Sequence, residues 1–206
     1  MNRRDSTRII PPEVLLEAYA QGIFPMSDSR HDESFQWYSA RKRGIIPLDQ
    51  FHVSSNVRRI IRNDHYLVRY DSDFRGVMER CAERSSTWIS DLIIESYCML
   101  HELGYAHSVE VYKPDSLGMA GGLYGVALKG AFFGESMFNY ERETSKIALY
   151  YCHKALVEGG FELWDTQFYS EHLGQFGATQ ISKDEYKKLL EQALQKEAAF
   201  EPVLSD

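Results

Sequence analysis

The chain has 206 residues, of which 44% are hydrophobic and 13% aromatic, and a formal net charge of −7. That is apolar material for one sizeable core, and the acidic balance argues against indiscriminate nucleic-acid binding, which rests on an excess of Lys and Arg. No run approaches the roughly 18 to 20 apolar residues that span a bilayer, Met1 to Ser6 leads into no apolar signal core, and the cysteines, Cys81, Cys98 and Cys152, are too far apart for a disulfide framework or a zinc knuckle. The expectation is a soluble, cytoplasmic protein with no membrane partner, whose thiols are reduced and buried.

Pro11-Pro12-Glu13 opens a short amphipathic helix through Ala20, and Gly22 stands where a helix commonly stops. Residues 23–47 read as irregular, with Pro25, a polar stretch from Ser27 to Glu33, and then Phe35-Gln36-Trp37-Tyr38. Residues 1–45 are therefore read as a small N-terminal module and 46–206 as the main domain. Arg41-Lys42-Arg43 is a basic cluster that offers charge for phosphates or a solvated loop.

Ser54 or Ser55 caps a helix carrying Val57, Ile60 and Ile61, and Arg58, Arg59 and Arg62 lie along one surface of it, a phosphate contact or a solvated face. Residues 66–70 alternate like a strand, and Asp73 to Glu83 reads as a helix. Ser90 caps the next helix, in which Leu92, Ile93, Tyr97, Leu100 and Leu103 recur at helical spacing before Gly104 ends it. His107 to Tyr112 alternates with period two, a strand.

Residues 122–128 and 131–138 flank Lys129-Gly130, the length of a tight hairpin turn in which glycine supplies a positive φ. A helix from Thr144 to Glu158 ends at Gly159-Gly160, and Phe161 to Gln167 returns as a strand. A strand-helix-strand unit with connections this short makes the two strands parallel neighbours, able to splay apart and open a cleft. Ser182 and Glu185 form a capping-box pattern before the last helix. Helices and strands in this order suit an α+β domain, a mixed sheet flanked by helices.

Two short runs carry the chemistry. Glu135 interrupts the apolar strand Ala131-Phe132-Phe133-Gly134-Glu135-Ser136-Met137-Phe138, and an unpaired buried carboxylate is costly. It needs a partner or a cavity, and a purely structural acceptor fits as well. Alternation puts Phe133, Glu135 and Met137 on one face and Phe132, Gly134, Ser136 and Phe138 on the other. In Trp164-Asp165-Thr166-Gln167, Asp165 and Gln167 share a strand face, so the carboxylate either accepts from the Gln167 amide, aiming its carbonyl oxygen at an amine, or simply caps a loop. Facing each other across adjacent strands, the two runs suit acyl chemistry. Trp37, Tyr38, Trp88, Phe132 and Phe138 are stock for an apolar pocket or for core. The histidines lack metal spacing, no Ser-His-Asp or Cys-His grouping stands out, and no Gly-rich phosphate loop is present.

With these residues in hand the chain resembles the leucyl/phenylalanyl-tRNA-protein transferase family over about Glu13 to Tyr186. The likeness runs through Ala18-Tyr19-Ala20-Gln21-Gly22-Ile23-Phe24-Pro25, Trp37-Tyr38-Ser39, Thr87-Trp88-Ile89 and His101 to Val111, then Gly121 to Val126, Gly134 to Phe138, Ser145-Lys146 and Asp165-Thr166-Gln167. It implies an acetyltransferase-superfamily fold and an enzyme that moves Leu, Phe or Met from aminoacyl-tRNA to the N-terminal Arg or Lys of an acceptor protein, creating a degradation signal, without metal or acetyl-CoA. It also implies an amino-acid pocket of Trp88, Leu123, Phe132, Leu149 and Trp164, with Trp37 as a further substrate contact, and a catalytic set of Glu135, Asp165 and Gln167. The family's tRNA-binding helix corresponds to Arg58, Arg59 and Arg62, and a monomer is expected. The competing readings are an acyl-CoA-dependent acyltransferase on the same fold and a non-catalytic tRNA-binding protein. The family usually carries Trp after Ile-Phe-Pro, where this chain has Met26, and an aliphatic pocket residue where it has Trp164.

Overall fold

The computed structural model describes residues 9–63, 66–114 and 118–203. The helices are α1 Pro12–Ala20, α2 Ser55–Arg62, α3 Phe74–Ala82, α4 Asp91–Glu102, α5 Thr144–Glu158, the single turn α6 Glu171–Gly174, and α7 Lys183–Ala193. The strands are β1 Phe24–Met26, β2 Gln36–Tyr38, β3 Lys42–Ile45, β4 Leu67–Tyr70, β5 Ala106–Tyr112, β6 Met119–Leu128, β7 Ala131–Asn139, β8 Leu163–Gln167 and β9 Thr179–Ser182. Helix starts follow local chemistry: the side chains of Ser54, Asp73, Ser90 and Ser182 accept from the backbone N–H groups of Val57, Gly76, Ile93 and Glu185 at 3.3, 3.0, 3.3 and 3.2 Å. Each satisfies a donor that the helix itself leaves open.

β1 and β2 pair with each other, and the other seven strands form one sheet in the order β4-β5-β6-β7-β8-β3-β9. All neighbours in that sheet are antiparallel except β7 and β8. One face is covered by α1, α3 and α4, with Tyr19, Val77, Ile93 and Tyr97 packed around Phe133. The other is covered by α5, with Ala148, Leu149, Cys152 and Leu156 around Phe132 and Trp164. The fold is the α+β mixed sheet flanked by helices that the element order indicates. All three cysteines are free; Cys81 and Cys152 are buried and Cys98 is half-buried.

Residues 23–47, read as irregular, contain β1, β2 and β3. None of the three shows a clear alternation; β1 and β2 pair with each other, and the partners of β3 are distant, β8 and β9. Residues 42–45 thus belong to the large sheet. The hairpin turn also differs from expectation, because Lys129 takes the left-handed conformation, φ 52°. Gly130 serves a different need, since a Cβ there would lie 2.7 Å from the Ala193 carbonyl oxygen, to which its N–H is bonded at 3.0 Å.

The largest departure positions the site. In the β6–β7 ladder Tyr124 pairs with Ser136 and Gly125 with Gly134, so Glu135 has no residue opposite it. This is a β-bulge, one extra residue that reverses alternation beyond it. Met137 accordingly packs with Phe132 on the α5 side, and Phe138 with Phe133 on the other. The grouping of Phe133 with Met137 that strict alternation gives is therefore incorrect.

Candidate active site

β7 and β8 pair from Ala131↔Leu163 to Phe133↔Asp165 and then separate. The bulge and the end of pairing coincide, and the space so opened contains the side chains of interest.

Asp165 is fully buried and fully used. Arg43 donates to it from Nε at 2.8 Å to Oδ1 and from Nη2 at 2.6 Å to Oδ2, the Tyr186 hydroxyl donates to Oδ2 at 2.6 Å, and the Gln167 backbone N–H donates to Oδ1 at 2.7 Å. Arg43 gives its remaining arm to the Gly22 carbonyl at 2.9 Å and lies between the rings of Phe24 and Tyr186, 4.9 and 4.5 Å from their centroids. A buried charge pair persists only when its other valences are met in this way. The group is an anchor joining α1, β3, β8 and α7. Arg43, read as part of a surface basic cluster, is 1% exposed and committed to Asp165.

Glu135 is held differently. Its Oε1 accepts from the Tyr19 hydroxyl at 2.7 Å and from Gln167 Nε2 at 2.7 Å, while Oε2, shielded from solvent, has no partner among the described residues. Tyr19 gives its only proton to Glu135, so Tyr97 is the donor in the Tyr97–Tyr19 hydroxyl contact. Burial, partly opposed by those hydrogen bonds, pushes the Glu135 carboxyl up to about 7. Burial first, then the charge of Glu135, holds the hydroxyls of Tyr19, Tyr97 and Tyr124 well above the ordinary phenol range, so they remain donors.

Gln167 connects the two carboxylates, though not as alternation indicates. Its backbone is left-handed, φ 61°, which turns its amide away from Asp165 and onto Glu135. Asp165 holds the Gln167 backbone and Glu135 holds its side chain. With Nε2 so occupied, the amide Oε1 is left to accept a hydrogen bond.

Beside Glu135 opens a cavity of about 470 Å³, part of it open to solvent. Leu123, Phe132, Met137, Leu149, Trp164 and Leu173 form its apolar wall, and Glu135, Ser136 and Thr166 its polar edge. An apolar recess with convergent polar groups at one end is the usual form of a small-ligand site.

A family model described as leucyl/phenylalanyl-tRNA protein transferase matches residues 45–191, and the model of that transferase's N-terminal domain matches residues 9–41. The leucyl/phenylalanyl-tRNA-protein transferase of Rhodopseudomonas palustris strain HaA2 is 47% identical over 211 residues, covering 100% of this chain and 93% of its own. That of Herpetosiphon aurantiacus is 49% identical over 195 residues, covering 94% of this chain and 100% of its own. The chain belongs to the leucyl/phenylalanyl-tRNA-protein transferase family. Among solved structures, FemX is similar with a TM-score of 0.50 at 13% identity, over 83% of this chain and 66% of that one, a likeness of fold alone.

Of the pocket residues that the transferase family resemblance implies, Leu123, Phe132, Leu149 and Trp164 share the cavity, and Trp88 and Trp37 do not line it. Trp88 is half-buried against the core on the α1, α3 and α4 face, and Trp37 is 41% exposed on β2. Arg58, Arg59 and Arg62 are exposed on α2. Sequence reasoning missed Arg43, Tyr19, Tyr97, Tyr186 and Met137. The tyrosines did leave a signal, because a hydroxyl on the apolar face of a helix needs a buried partner. Nothing local distinguishes Arg43 from Arg41 and Lys42.

Proposed function

We propose that this protein transfers a leucyl or phenylalanyl group from aminoacyl-tRNA to the N-terminal α-amine of a protein that begins with Arg or Lys, marking that protein for degradation. The observation that carries the reading is a carboxylate oxygen, Glu135 Oε2, without a partner among the described residues, on a side chain that lines an apolar cavity at its polar edge. The cavity suits a branched or aromatic side chain, whose burial is worth roughly 1.5–3 kcal/mol. The oxygen suits an amine or ammonium beside it.

In the reaction the amine nitrogen forms a bond to the acyl carbon, the bond from that carbon to the ribose oxygen breaks, and a proton passes from the nitrogen to the departing oxygen, directly or through water. The ester is already activated, and an α-amine titrates near 7.7–8.0, so no strong base is required. Orientation is the main contribution, on the order of 7–11 kcal/mol. Glu135 holds the aminoacyl α-ammonium or the acceptor's cation by a charge-assisted bond. Gln167, its amide fixed by Glu135, presents Oε1 to the incoming N–H. Asp165 acts one step removed, by fixing the Gln167 backbone. Arg58, Arg59 and Arg62 supply exposed charge for tRNA phosphates, which position without reading sequence.

The test is to mix the protein with tRNA charged with Leu, Phe, Met or other amino acids and a peptide beginning with Arg, Lys or Gln, then weigh the peptide. A gain of one aminoacyl residue on the Arg and Lys peptides is expected. Binding of charged tRNA with no gain from any donor overturns the transferase reading.

A further inference from the structure

Arg84 follows α3 and has no part in the network described above. Its Nη2 donates to the Met137 carbonyl at 2.5 Å and reaches Ser136 Oγ at 3.4 Å. Both residues form part of the cavity wall. The guanidinium is therefore tied to two residues of that wall, one to two residues beyond Glu135, about 3–7 Å along the strand. Arg43, Arg75 and Arg80 each hold a carboxylate. Among the described residues Arg84 holds none and has no partner at Nε or Nη1, and it is exposed. A cation fixed to the wall of a site, with N–H donors on Nε and Nη1 to spare, matches an anionic phosphate oxygen.

We propose that Arg84 binds the phosphodiester on the 5′ side of the donor's terminal nucleoside and so sets the aminoacyl ester over Glu135. The proposal rests on the transferase reading and adds a positioning residue to it. In such a donor the ester and that phosphate lie on opposite ends of one ribose, the same order in which Glu135 and the Arg84 contacts at Ser136 and Met137 stand along β7. Opposite charges at the two places fix the polarity of entry: phosphate at Arg84, acyl group and its amine at Glu135. Reversed entry would set phosphate against carboxylate.

The experiment compares two minimal donors, 3′-O-leucyl-adenosine and the same compound carrying a 5′-phosphate, in the parent protein, Arg84→Ala and Arg84→Lys. With the phosphorylated donor, Arg84→Ala should raise KM by about 10-fold or more, the size of a lost charge-assisted contact, with kcat changed less than twofold; Arg84→Lys should lie between. With the unphosphorylated donor the KM change should shrink below twofold. An equal KM change with both donors, or none with either, overturns the proposal. A parallel arm needs no chemistry: fluorescence anisotropy of uncharged CpCpA, with and without Arg84. A parent protein that transfers from no donor defeats the transferase reading, and equal CpCpA affinity of parent and Arg84→Ala would then defeat the role of Arg84 separately. Unchanged thermal midpoints in both variants exclude misfolding as the cause.

Discussion

Asp165 and Glu135 are carboxylates on neighbouring strands, the first fully buried and the second half-buried at the cavity, and they are treated in opposite ways. Asp165 meets a guanidinium, a phenol and a backbone N–H and has nothing left to give. Glu135 meets a phenol and an amide on one oxygen and, among the described residues, nothing on the other. The difference teaches that burial alone does not mark a functional acid. A completed hydrogen-bond shell marks a structural one, and a gap in the shell beside a cavity marks the one that awaits a ligand.

The strongest way to break the comparison is to remove Asp165. Asp165→Ala leaves Arg43 charged and buried without a partner, and should cost about 3–5 kcal/mol, read as a fall in the denaturant midpoint. Replacing the pair together, as Arg43→Met with Asp165→Leu, should recover part of that stability. If Asp165→Ala is as stable as the parent, the anchor assignment is wrong.

Glu135 should behave in the reverse sense. Glu135→Gln keeps the shape and the acceptor for Tyr19 and Gln167 but removes the charge, so turnover at neutral pH should fall by about 10²–10³ while the fold survives. In the parent, kcat/KM should rise as pH passes through about 7, where the carboxyl ionises, and the variant should lack that limb. Stability carries the opposite sign. A carboxyl whose folded pKa is raised contributes stability that is complete below its unfolded value, near 4.3, and is lost as pH climbs to about 7. Glu135→Gln should therefore be more stable than the parent at pH 8, by about 1–3 kcal/mol, and equal to it at pH 4. A loss of stability at pH 8 would show the charge to be structural after all.

The smallest effect belongs to the cavity wall. Leu149→Val removes one methylene beside Trp164, and should shift donor preference from leucyl toward phenylalanyl by about 3- to 10-fold, measured by competition between the two charged tRNAs. An unchanged ratio would place the amino-acid side chain elsewhere.

The sequence by itself determined the elements with long periods or explicit start and stop residues: α1 to α5, α7, the β6–β7 hairpin and the parallel return of β8 all follow from local chemistry. It also singled out Glu135, Asp165 and Gln167, because a polar residue in an apolar strand is visible without coordinates. Tertiary structure alone decided what those residues do with one another. β1, β2, β3 and β9 give no clear local signal; β1 and β2 exist through pairing with each other, and β3 and β9 through pairing across the chain. The bulge at Glu135 depends on the register of β7 against β6, which no local pattern encodes, yet one extra residue moved Met137 into the cavity wall. Arg43 was indistinguishable from its basic neighbours until β3 inserted beside β8 and placed its guanidinium on Asp165. The physical reason is common to all three: local sequence fixes backbone propensity and polarity, whereas register and the partner of a buried charge are decided between segments, which for Arg43 and Asp165 lie 122 residues apart.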